Sequence, residues 1–225
     1  MSHFAKMNFN GDLNLGLLGF ATDSYALLGV ESKKIHKRVA EVLKVGTHHS
    51  RFLRNDLIGI FSTGNSTGIV VPDIIEDEEL EQLRKVSERI FNDDRVLVIR
   101  TMYALGNLIL MNDNGIIISP FIKKERKTLE DFFGIKCEVS TIAKLNVVGS
   151  LAIVTNKGCL THPRTTDSEM KLLGKILDIP IDIGTVSFGS SFPGAGVIAN
   201  SFGFVASEST SGIELGNIDK ALGFV

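Results

Sequence analysis

The chain has 225 residues, of which 44% are hydrophobic and 22% are charged, and its formal net charge is −2. This composition is ordinary for a globular protein and excludes a disordered chain. Its apolar runs stay short of the roughly 20 residues that a membrane-spanning helix needs. A chain of this length buries roughly 70–75% of the surface that it exposes when unfolded, so we expect a sizeable core.

The two cysteines, Cys137 and Cys159, do not amount to a disulfide framework. The N-terminal residues lack the apolar stretch of a secretion signal. Both features predict a reducing, cytoplasmic environment.

Charged residues are distributed unevenly along the chain. Residues 31–54 carry seven basic side chains against two acidic ones, whereas residues 73–81 carry six acidic side chains and no basic one. The basic segment could meet an anionic partner such as RNA, although solvated helix surfaces explain most such charges. We interpret the acidic run as the first turn of a helix, where carboxylates favour the helix dipole, rather than as a metal site.

One pattern recurs along the chain: a short apolar run, a polar turn ending in glycine, and a second apolar run. It occupies residues 57–72, 105–120, 148–163 and 194–207, with turn glycines Gly68, Gly115, Gly158 and Gly203 spaced 47, 43 and 45 residues apart. A weaker copy at residues 15–29 turns near Ser24. Apolar runs on either side of such turns predict five β-hairpins.

A helix is predicted after each hairpin. In the first repeat, Ile35, Val39, Val42 and Leu43 fall on one helical face. Two later helices begin with capping boxes, Thr166 with Glu169 and Ser211 with Glu214. Short strands are predicted after several helices, at residues 96–100 and 135–140 among others.

One hairpin and one helix cannot bury both their apolar faces alone, so the repeats must pack against each other. We predict a single α/β domain over residues 1–225, with approximate repeats at residues 13–54, 55–102, 103–145, 146–190 and 191–225. Neither terminal repeat has the polar cap of an open array, which favours a closed ring.

Several stretches resemble the translation initiation factor six family, in order along the whole chain. They are residues 76–80, 104–120, 148–163, 183–186 and 219–223. The resemblance implies the pentein fold, five pseudo-symmetric α/β repeats around an axis. Because the chain ends at Val225 without the polar tail of the eukaryotic factors, it resembles the archaeal branch.

The resemblance also implies a function. Members of this family bind the large ribosomal subunit at its intersubunit face, near the sarcin–ricin loop and neighbouring ribosomal proteins, and they block the small subunit sterically. A protein of this kind acts in ribosome biogenesis and translation initiation. It is expected to be no enzyme, to need no cofactor or metal, and to be a monomer when free.

Asn107 is the leading candidate for partner contact. It lies at the entrance of a hairpin in a stretch that matches the family, and its amide can both donate and accept hydrogen bonds. The alternative is an asparagine that bonds its own turn. Asn65, taken as its counterpart in the preceding repeat, and the basic Arg51 and Arg54 complete the predicted contact set. The chain departs from the family pattern at Ser187 and Phe188.

A second hypothesis is a guanidino-modifying enzyme of the pentein type, with Cys159 and His162 as nucleophile and base. Those enzymes carry their cysteine near the C-terminus, where this chain has none. We therefore interpret the pair as structural. A third hypothesis, a general RNA-binding protein, lacks the aromatic residues that would stack on bases in the basic segment.

Two further motifs are weak. Gly194, Gly196 and Ala199 imitate a dinucleotide fingerprint, but the residues that follow predict a hairpin where that fingerprint needs a helix. His48 and His49 have no third metal ligand at a useful spacing.

Overall fold

The computed structural model describes residues 3–225, and these form fifteen strands and eight α-helices. The strands are β1 (Phe4–Met7), β2 (Gly19–Ala21), β3 (Tyr25–Leu28), β4 (Gly46–His49), β5 (Thr63–Asn65), β6 (Gly68–Pro72), β7 (Val96–Ile99), β8 (Ile109–Met111), β9 (Gly115–Ile118), β10 (Lys136–Val139), β11 (Ala152–Val154), β12 (Cys159–Thr161), β13 (Ile181–Ile183), β14 (Val197–Asn200) and β15 (Gly203–Ser207). The helices are α1 (Lys33–Leu43), α2 (Ile58–Phe61), α3 (Asp77–Phe91), α4 (Leu105–Leu108), α5 (Arg126–Phe133), α6 (Asp167–Leu177), α7 (Pro193–Gly196) and α8 (Gly212–Ala221). Two 3-10 helices cover Leu15–Leu17 and Pro120–Glu125.

The strands form five separate three-stranded sheets of one design. An antiparallel hairpin supplies two strands, and a third strand lies parallel to the second one. In the second repeat, Thr63 pairs with Val70 across the hairpin, and Ile69 pairs with Val96 in the parallel strand. In the first four sheets a helix connects the second and third strands, as a parallel connection requires. The predicted α/β class and the pentein architecture are confirmed.

The fifth sheet is completed by the beginning of the chain. Strand β1 pairs in parallel with β15, from Phe4 opposite Phe204 to Met7 opposite Ser207. It occupies the place that β4, β7, β10 and β13 hold in the other sheets. The predicted repeats began at residue 13 and left this strand unassigned, because its pairing partner lies about two hundred residues away in sequence.

Five glycines approach each other around a central axis. An added Cβ atom at any of them would overlap the carbonyl oxygen of the glycine in the adjacent repeat: Gly59 meets Gly16, Gly106 meets Gly59, Gly149 meets Gly106, Gly194 meets Gly149 and Gly16 meets Gly194. The contacts therefore run in a cycle through all five repeats. Only a residue without a side chain permits this approach of backbone to backbone.

The first apolar run of the hairpins differs from the prediction. Strands were expected to begin near residues 57, 105 and 194, but these positions form the short helical turns α2, α4 and α7. The strands that follow have only three or four residues. A short apolar run does not distinguish a strand from a buried helical turn, and here the turn carries the axial glycine inwards.

Each long helix packs on its own sheet and on that of the preceding repeat. Val39 and Val42 of α1 share one apolar cluster with Ile198 and Val205 of the fifth sheet. The predicted face of α1 is confirmed, since all four of its apolar residues are buried. Both predicted capping boxes are present as well.

The hairpin turns hydrogen-bond to one another at one end of the axis, which we call the turn end. The backbone N–H of Ser66 donates to Asp113 at 2.8 Å, and that of Asp113 donates to Asn156 at 2.9 Å. The N–H of Ser201 donates to Asp23 at 2.7 Å, which links the fifth turn to the first. Polar side chains thus join repeats that are remote in sequence.

The axial glycines generate a stability prediction. Gly149→Ala is expected to lower the free energy of unfolding by about 1–3 kcal/mol, because the methyl group must displace the backbone of Gly106. Urea unfolding followed by circular dichroism measures this change. Gly216→Ala in α8 is the control: its Cβ meets open space, so a gain of about 0.5–1 kcal/mol is expected. Equal effects of the two substitutions would contradict the close axial packing.

Candidate functional site

Five loops connect the third strand of one sheet to the hairpin of the next. They cover residues 8–14, 50–57, 100–104, 140–147 and 184–192. Each leads into the segment that carries an axial glycine, so all five lie at the end of the axis opposite the turn end. We call this end the loop face. Because loops tolerate variation that strands and helices do not, a repeat fold places its binding residues there.

Four of these loops contain a tight turn closed by a pair of backbone hydrogen bonds. The closing pairs are Phe9 with Asp12, Phe52 with Asn55, Ile142 with Leu145, and Val186 with Ser190. Residues at the tips have left-handed backbone, including Leu53 at a φ of 51° and Phe188 at 64°. Such a conformation is uncommon for residues with a side chain, so neighbouring groups must hold it in place.

A buried glutamate from the next repeat holds three of these turns. Glu79 accepts hydrogen bonds from the backbone N–H groups of Leu53 and Arg54, at 2.8 and 2.7 Å. Glu169 binds the amides of Ala143 and Lys144 in the same way, and Glu214 those of Phe188 and Gly189. Each glutamate is the third residue of its helix. We call these three residues the glutamate clamps.

The sequence indicated only half of this role. Glu169 and Glu214 were predicted as capping-box residues, and Glu79 as one of several acids that favour the helix dipole. Their second task, binding the amides of a turn about 25 residues earlier, became visible only in the structure. The shared position in the first helical turn was the available signal.

Hydrogen bonds lower the pKa of two of the clamps, Glu214 and Glu169. Burial acts to raise the pKa of Glu214, but the donors around it outweigh burial and lower its pKa to about 2. These donors are the backbone amides of Ser211 and Gly189 and the hydroxyl groups of Ser211 and Thr185. The pKa of Glu169 is lowered in the same manner. Both side chains are therefore carboxylates at neutral pH.

Exposed apolar side chains concentrate on the loop face. Of the twelve large hydrophobic residues that are exposed in the described part of the chain, seven lie in the five loops: Leu13, Leu53, Met102, Tyr103, Leu145, Phe188 and Phe192. Met102 is 87% exposed and Phe188 is 84% exposed. Because large exposed apolar surfaces often serve in protein interactions, we take the loop face as the candidate interaction surface.

The loop at residues 100–104 breaks the symmetry of the others. It has no closing pair among the described residues, and the segment that would supply its clamp is the 3-10 helix Pro120–Glu125. Tyr103 stacks on Phe121 of that helix with ring centroids 5.9 Å apart, and both rings remain about half exposed. The result is an open apolar patch of Met102, Tyr103 and Phe121.

Asn107 lies beside this patch and is half-buried. Its backbone N–H donates to the carbonyl of Ala104 at 3.1 Å, and its side-chain oxygen accepts from the Ser150 hydroxyl at 2.8 Å. Its carbonyl accepts from the Gly149 N–H at 2.9 Å. The side-chain and main-chain oxygens of Asn107 therefore link the third repeat to the fourth. The side-chain NH₂ has no hydrogen-bond partner within residues 3–225.

Asn65 does not belong to this surface. It is only 2% exposed, and its amide is used inside the ring: the NH₂ donates to the Asn112 carbonyl, and the oxygen accepts from Thr67. The residue that occupies the position of Asn107 in the second repeat is Ile60, which follows the axial Gly59. Asn65 corresponds instead to Asn112 at the turn end. We remove it from the proposed contact set.

Arg51 and Arg54 lie in the loop of the first repeat, and both are paired with acids. Arg51 contacts Glu31 at 3.7 Å and Asp56 at 3.4 Å, while the largely exposed Arg54 contacts Glu76 at 3.0 Å. The predicted basic segment is thus partly neutralised where it reaches the loop face.

The pair Cys159 and His162 lacks the properties of a catalytic site. Cys159 is fully buried, and burial raises the pKa of its thiol to about 12, so it stays protonated. The Nδ1 atom of His162 accepts a hydrogen bond from the Arg164 N–H at 2.9 Å and thereby caps a turn. A nucleophile must be an accessible thiolate, and Cys159 is neither accessible nor ionised.

The axial cavity is too small for a substrate. It has a volume of about 70 Å³ and is lined by the five axial glycines and by residues of the first strand of several hairpins. Small-molecule sites usually enclose roughly 300–1,000 Å³. Within residues 3–225, no three His, Cys, Asp or Glu side chains lie close enough to hold a metal ion. The same part of the chain has no helix long and apolar enough to cross a membrane.

The five-repeat α/β architecture defines a protein of the pentein class, and comparison with known proteins narrows this class. A model of the eIF-6 family matches residues 4–221. Translation initiation factor 6 of Thermococcus onnurineus is 39% identical over 99% of each chain, and that of Methanocaldococcus jannaschii is 38% identical over the full length of both. A solved dimethylarginine dimethylaminohydrolase covers 76% of this chain and 68% of its own, with a TM-score of 0.48 and 12% identity.

The chain belongs to the eIF-6 family. Its class of function is accordingly that of a translation initiation factor, the name that its archaeal relatives carry. The predicted family resemblance is confirmed.

The clamps predict a pH-dependent stability. The pKa of Glu214 is about 2 in the folded protein and about 4.3 in an unfolded chain, so its stabilisation is complete above pH 5 and is lost as the pH falls towards 2. Glu214→Gln should lower the free energy of unfolding at pH 7 by about 1–3 kcal/mol. Thermal unfolding between pH 2 and pH 7 should show this difference shrinking below pH 5. Glu81→Gln, at an exposed position of α3, should change little, and a pH-independent effect of Glu214→Gln would contradict the clamp.

Proposed function

We propose that this protein binds the large ribosomal subunit through its loop face and prevents the small subunit from joining. The observation that carries the proposal is the concentration of exposed apolar side chains on that face, with Met102, Tyr103 and Phe121 beside Asn107. Membership of the eIF-6 family supports a partner within the translation apparatus.

The chemistry of the patch suits a protein partner. Aromatic residues and methionine are enriched in the buried centres of protein interfaces, where a few residues provide most of the binding free energy. Tyr103 and Phe121 are already stacked, so little conformational entropy is lost when a partner covers them. The half-free amide of Asn107 adds a polar contact that fixes the orientation of the partner.

The clamps support the proposal from a second direction. Glu79, Glu169 and Glu214 fix the backbone of three loops, so the side chains at their tips are presented in one arrangement. Preorganised loops lose less entropy on binding than mobile ones. We infer that the ring binds as a rigid body and that it acts by covering the surface of the large subunit to which it binds.

Occlusion needs only an interface of ordinary size. A standard protein interface buries about 800 Å² on each partner, and the accessible surface of the described chain is 9892 Å². The loop face therefore has sufficient area for such an interface. The rest of the bound protein then sterically excludes a second large particle. No substrate is turned over and no cofactor is consumed in this mechanism.

We infer that the protein works in the cytoplasm as a monomer until it meets the subunit. A guanidino-modifying activity is the less favoured hypothesis, because the buried Cys159 thiol cannot attack a substrate. Arg51 and Arg54 stay in the proposed contact set as peripheral residues, where an ion pair contributes little to affinity.

Sedimentation with purified archaeal ribosomal subunits tests the proposal. The protein should migrate with the large subunit alone and reduce the yield of joined ribosomes. Met102→Asp and Asn107→Arg should each weaken this binding roughly tenfold or more, because both place a charge in a contact that excludes water. Circular dichroism should show both variants folded.

Phe202→Asp is the matched control for this experiment. Phe202 is 40% exposed but lies in a hairpin turn at the turn end, so its substitution should leave subunit binding unchanged. Loss of binding in the Phe202 variant, together with normal binding in the Met102 variant, would place the contact at the turn end and contradict a contact through the loop face. Absence of the wild-type protein from the large-subunit fraction would refute the proposed function.

A further inference from the structure

A groove runs along the seam where the first repeat meets the fifth. It has a volume of about 590 Å³ and lies between helix α1, the edge strand β1 and the segment after β15. Its lining residues are Lys6, Met7, Asn8, Asn10, Ser32, Lys34, Ile35, Lys37, Arg38, Glu41 and Glu208. Asn8 and Asn10 belong to the first loop, so the groove opens onto the edge of the loop face.

Three cations in the groove are not neutralised. Lys6, Lys34 and Lys37 are exposed, and none of them forms an ion pair within residues 3–225. Arg38 contacts Glu41 at 3.3 Å, so these two charges offset each other. Glu208 accepts a hydrogen bond from the neutral Asn8 side chain at 2.7 Å and keeps its negative charge. The lining therefore carries four basic and two acidic side chains, a net positive charge of two.

This charge is a property of one seam and not of the repeated fold. The strand position of Lys6 is occupied at the other four seams by His49, Val98, Val139 and Ile183, as the strand pairings establish. The helix positions of Lys34 and Lys37, second and fifth from the helix start, carry Glu78 and Glu81 in α3, Ser168 and Lys171 in α6, and Ile213 and Gly216 in α8. Bases meet at all three positions only here.

The same seam lacks a glutamate clamp. The third residue of α1 is Ile35, whereas α3, α6 and α8 have Glu79, Glu169 and Glu214 in that place. The turn that a clamp would hold is stabilised from within, because the Gly11 N–H donates to the Asn8 side chain at 2.8 Å. A neutral group thus performs the task that a carboxylate performs elsewhere, and the groove keeps its positive potential.

We propose that this groove binds the phosphate backbone of ribosomal RNA when the loop face docks on the large subunit. The inference rests on the proposed function and specifies a second contact: a protein partner at the patch around Met102, and RNA at the seam of the first and fifth repeats. The two contacts lie on different sectors of the ring, so together they fix its rotation about the axis.

The side chains favour phosphate over other ligands. Lysine ammonium groups on flexible stems act as point charges for phosphate, while carboxylates in a protein partner are matched best by the planar fork of arginine, and Arg38 is already paired. The groove lining includes no aromatic residue on which a base could stack. Binding should therefore follow backbone charge and be insensitive to base sequence.

The salt dependence of binding tests the proposal. A variant with Lys6→Gln, Lys34→Gln and Lys37→Gln loses three cations without gaining acids. Each lysine that contacts a phosphate contributes about one unit to the slope of log affinity against log salt concentration. For binding to large subunits, the slope of the triple variant should be shallower by about 2 to 3 units, and its affinity at low salt should fall at least about tenfold.

Lys171→Gln is the matched control. Lys171 stands at the fifth position of α6, where Lys37 stands in α1, and it lines a groove with Met170, Gly174, Ile179 and Ile181. Its substitution should leave the slope unchanged, because one phosphate-contacting lysine would already shift the slope by about one unit. An unchanged slope in the triple variant, or a shift of about one unit in the Lys171 variant, would overturn the proposal.

A second assay separates this proposal from the proposed function. The isolated protein is titrated with a fluorescent double-stranded RNA hairpin and, separately, with a polyglutamate peptide. The wild type should bind the hairpin weakly, and the triple variant should lose most of that binding. Hairpin binding that depends on the three lysines would support the groove even if the protein failed to sediment with large subunits. Binding of the peptide but not of the hairpin would assign the groove to an acidic protein and refute the RNA contact.

Discussion

Five glycines meet around the axis, each with its α-carbon against the carbonyl oxygen of the glycine in the adjacent repeat. No other residue allows backbones to come so close. This close approach sets the distance between the sheets and helices that surround the axis. Because the repeats are drawn together at the centre, each long helix reaches the sheet of the preceding repeat and buries its apolar face there, as α1 does against β15. The pairing of β1 with β15 joins the beginning of the chain to the fifth repeat.

The two ends of the axis differ in how their polar groups are bonded. At the turn end, polar side chains such as Asn112 and Asn200 form hydrogen bonds between repeats, so these groups are not available to a partner. At the loop face, the glutamate clamps accept hydrogen bonds from the backbone amides of three loops. The side chains at the tips of these loops are not needed to hold the turns and can therefore be apolar and exposed. This separation leaves the groups that a partner could contact at the loop face.

The features that carry our functional proposals are those at which the repeats stop being alike. The loop at residues 100–104 has no clamp and exposes an apolar patch beside Asn107. The seam at α1 also has no clamp, and it collects Lys6, Lys34 and Lys37. Symmetry gives the ring its stability, since equivalent contacts repeat around the axis. Departures from it distinguish one sector from the next, and a single partner can be recognised only through such differences.

The sequence by itself determined the number of repeats, their hairpins, the buried face of α1 and the capping boxes at Thr166 and Ser211, because these depend on contacts within a few residues. It also placed Asn107 at the entrance of a hairpin, and the structure has it in α4, directly before β8. The tertiary structure alone decided that β1 completes the fifth sheet, that Asn65 is buried, and that Glu79 binds a turn in the preceding repeat. These outcomes join groups from 25 to about 200 residues apart, and local periodicity contains no information about such distances.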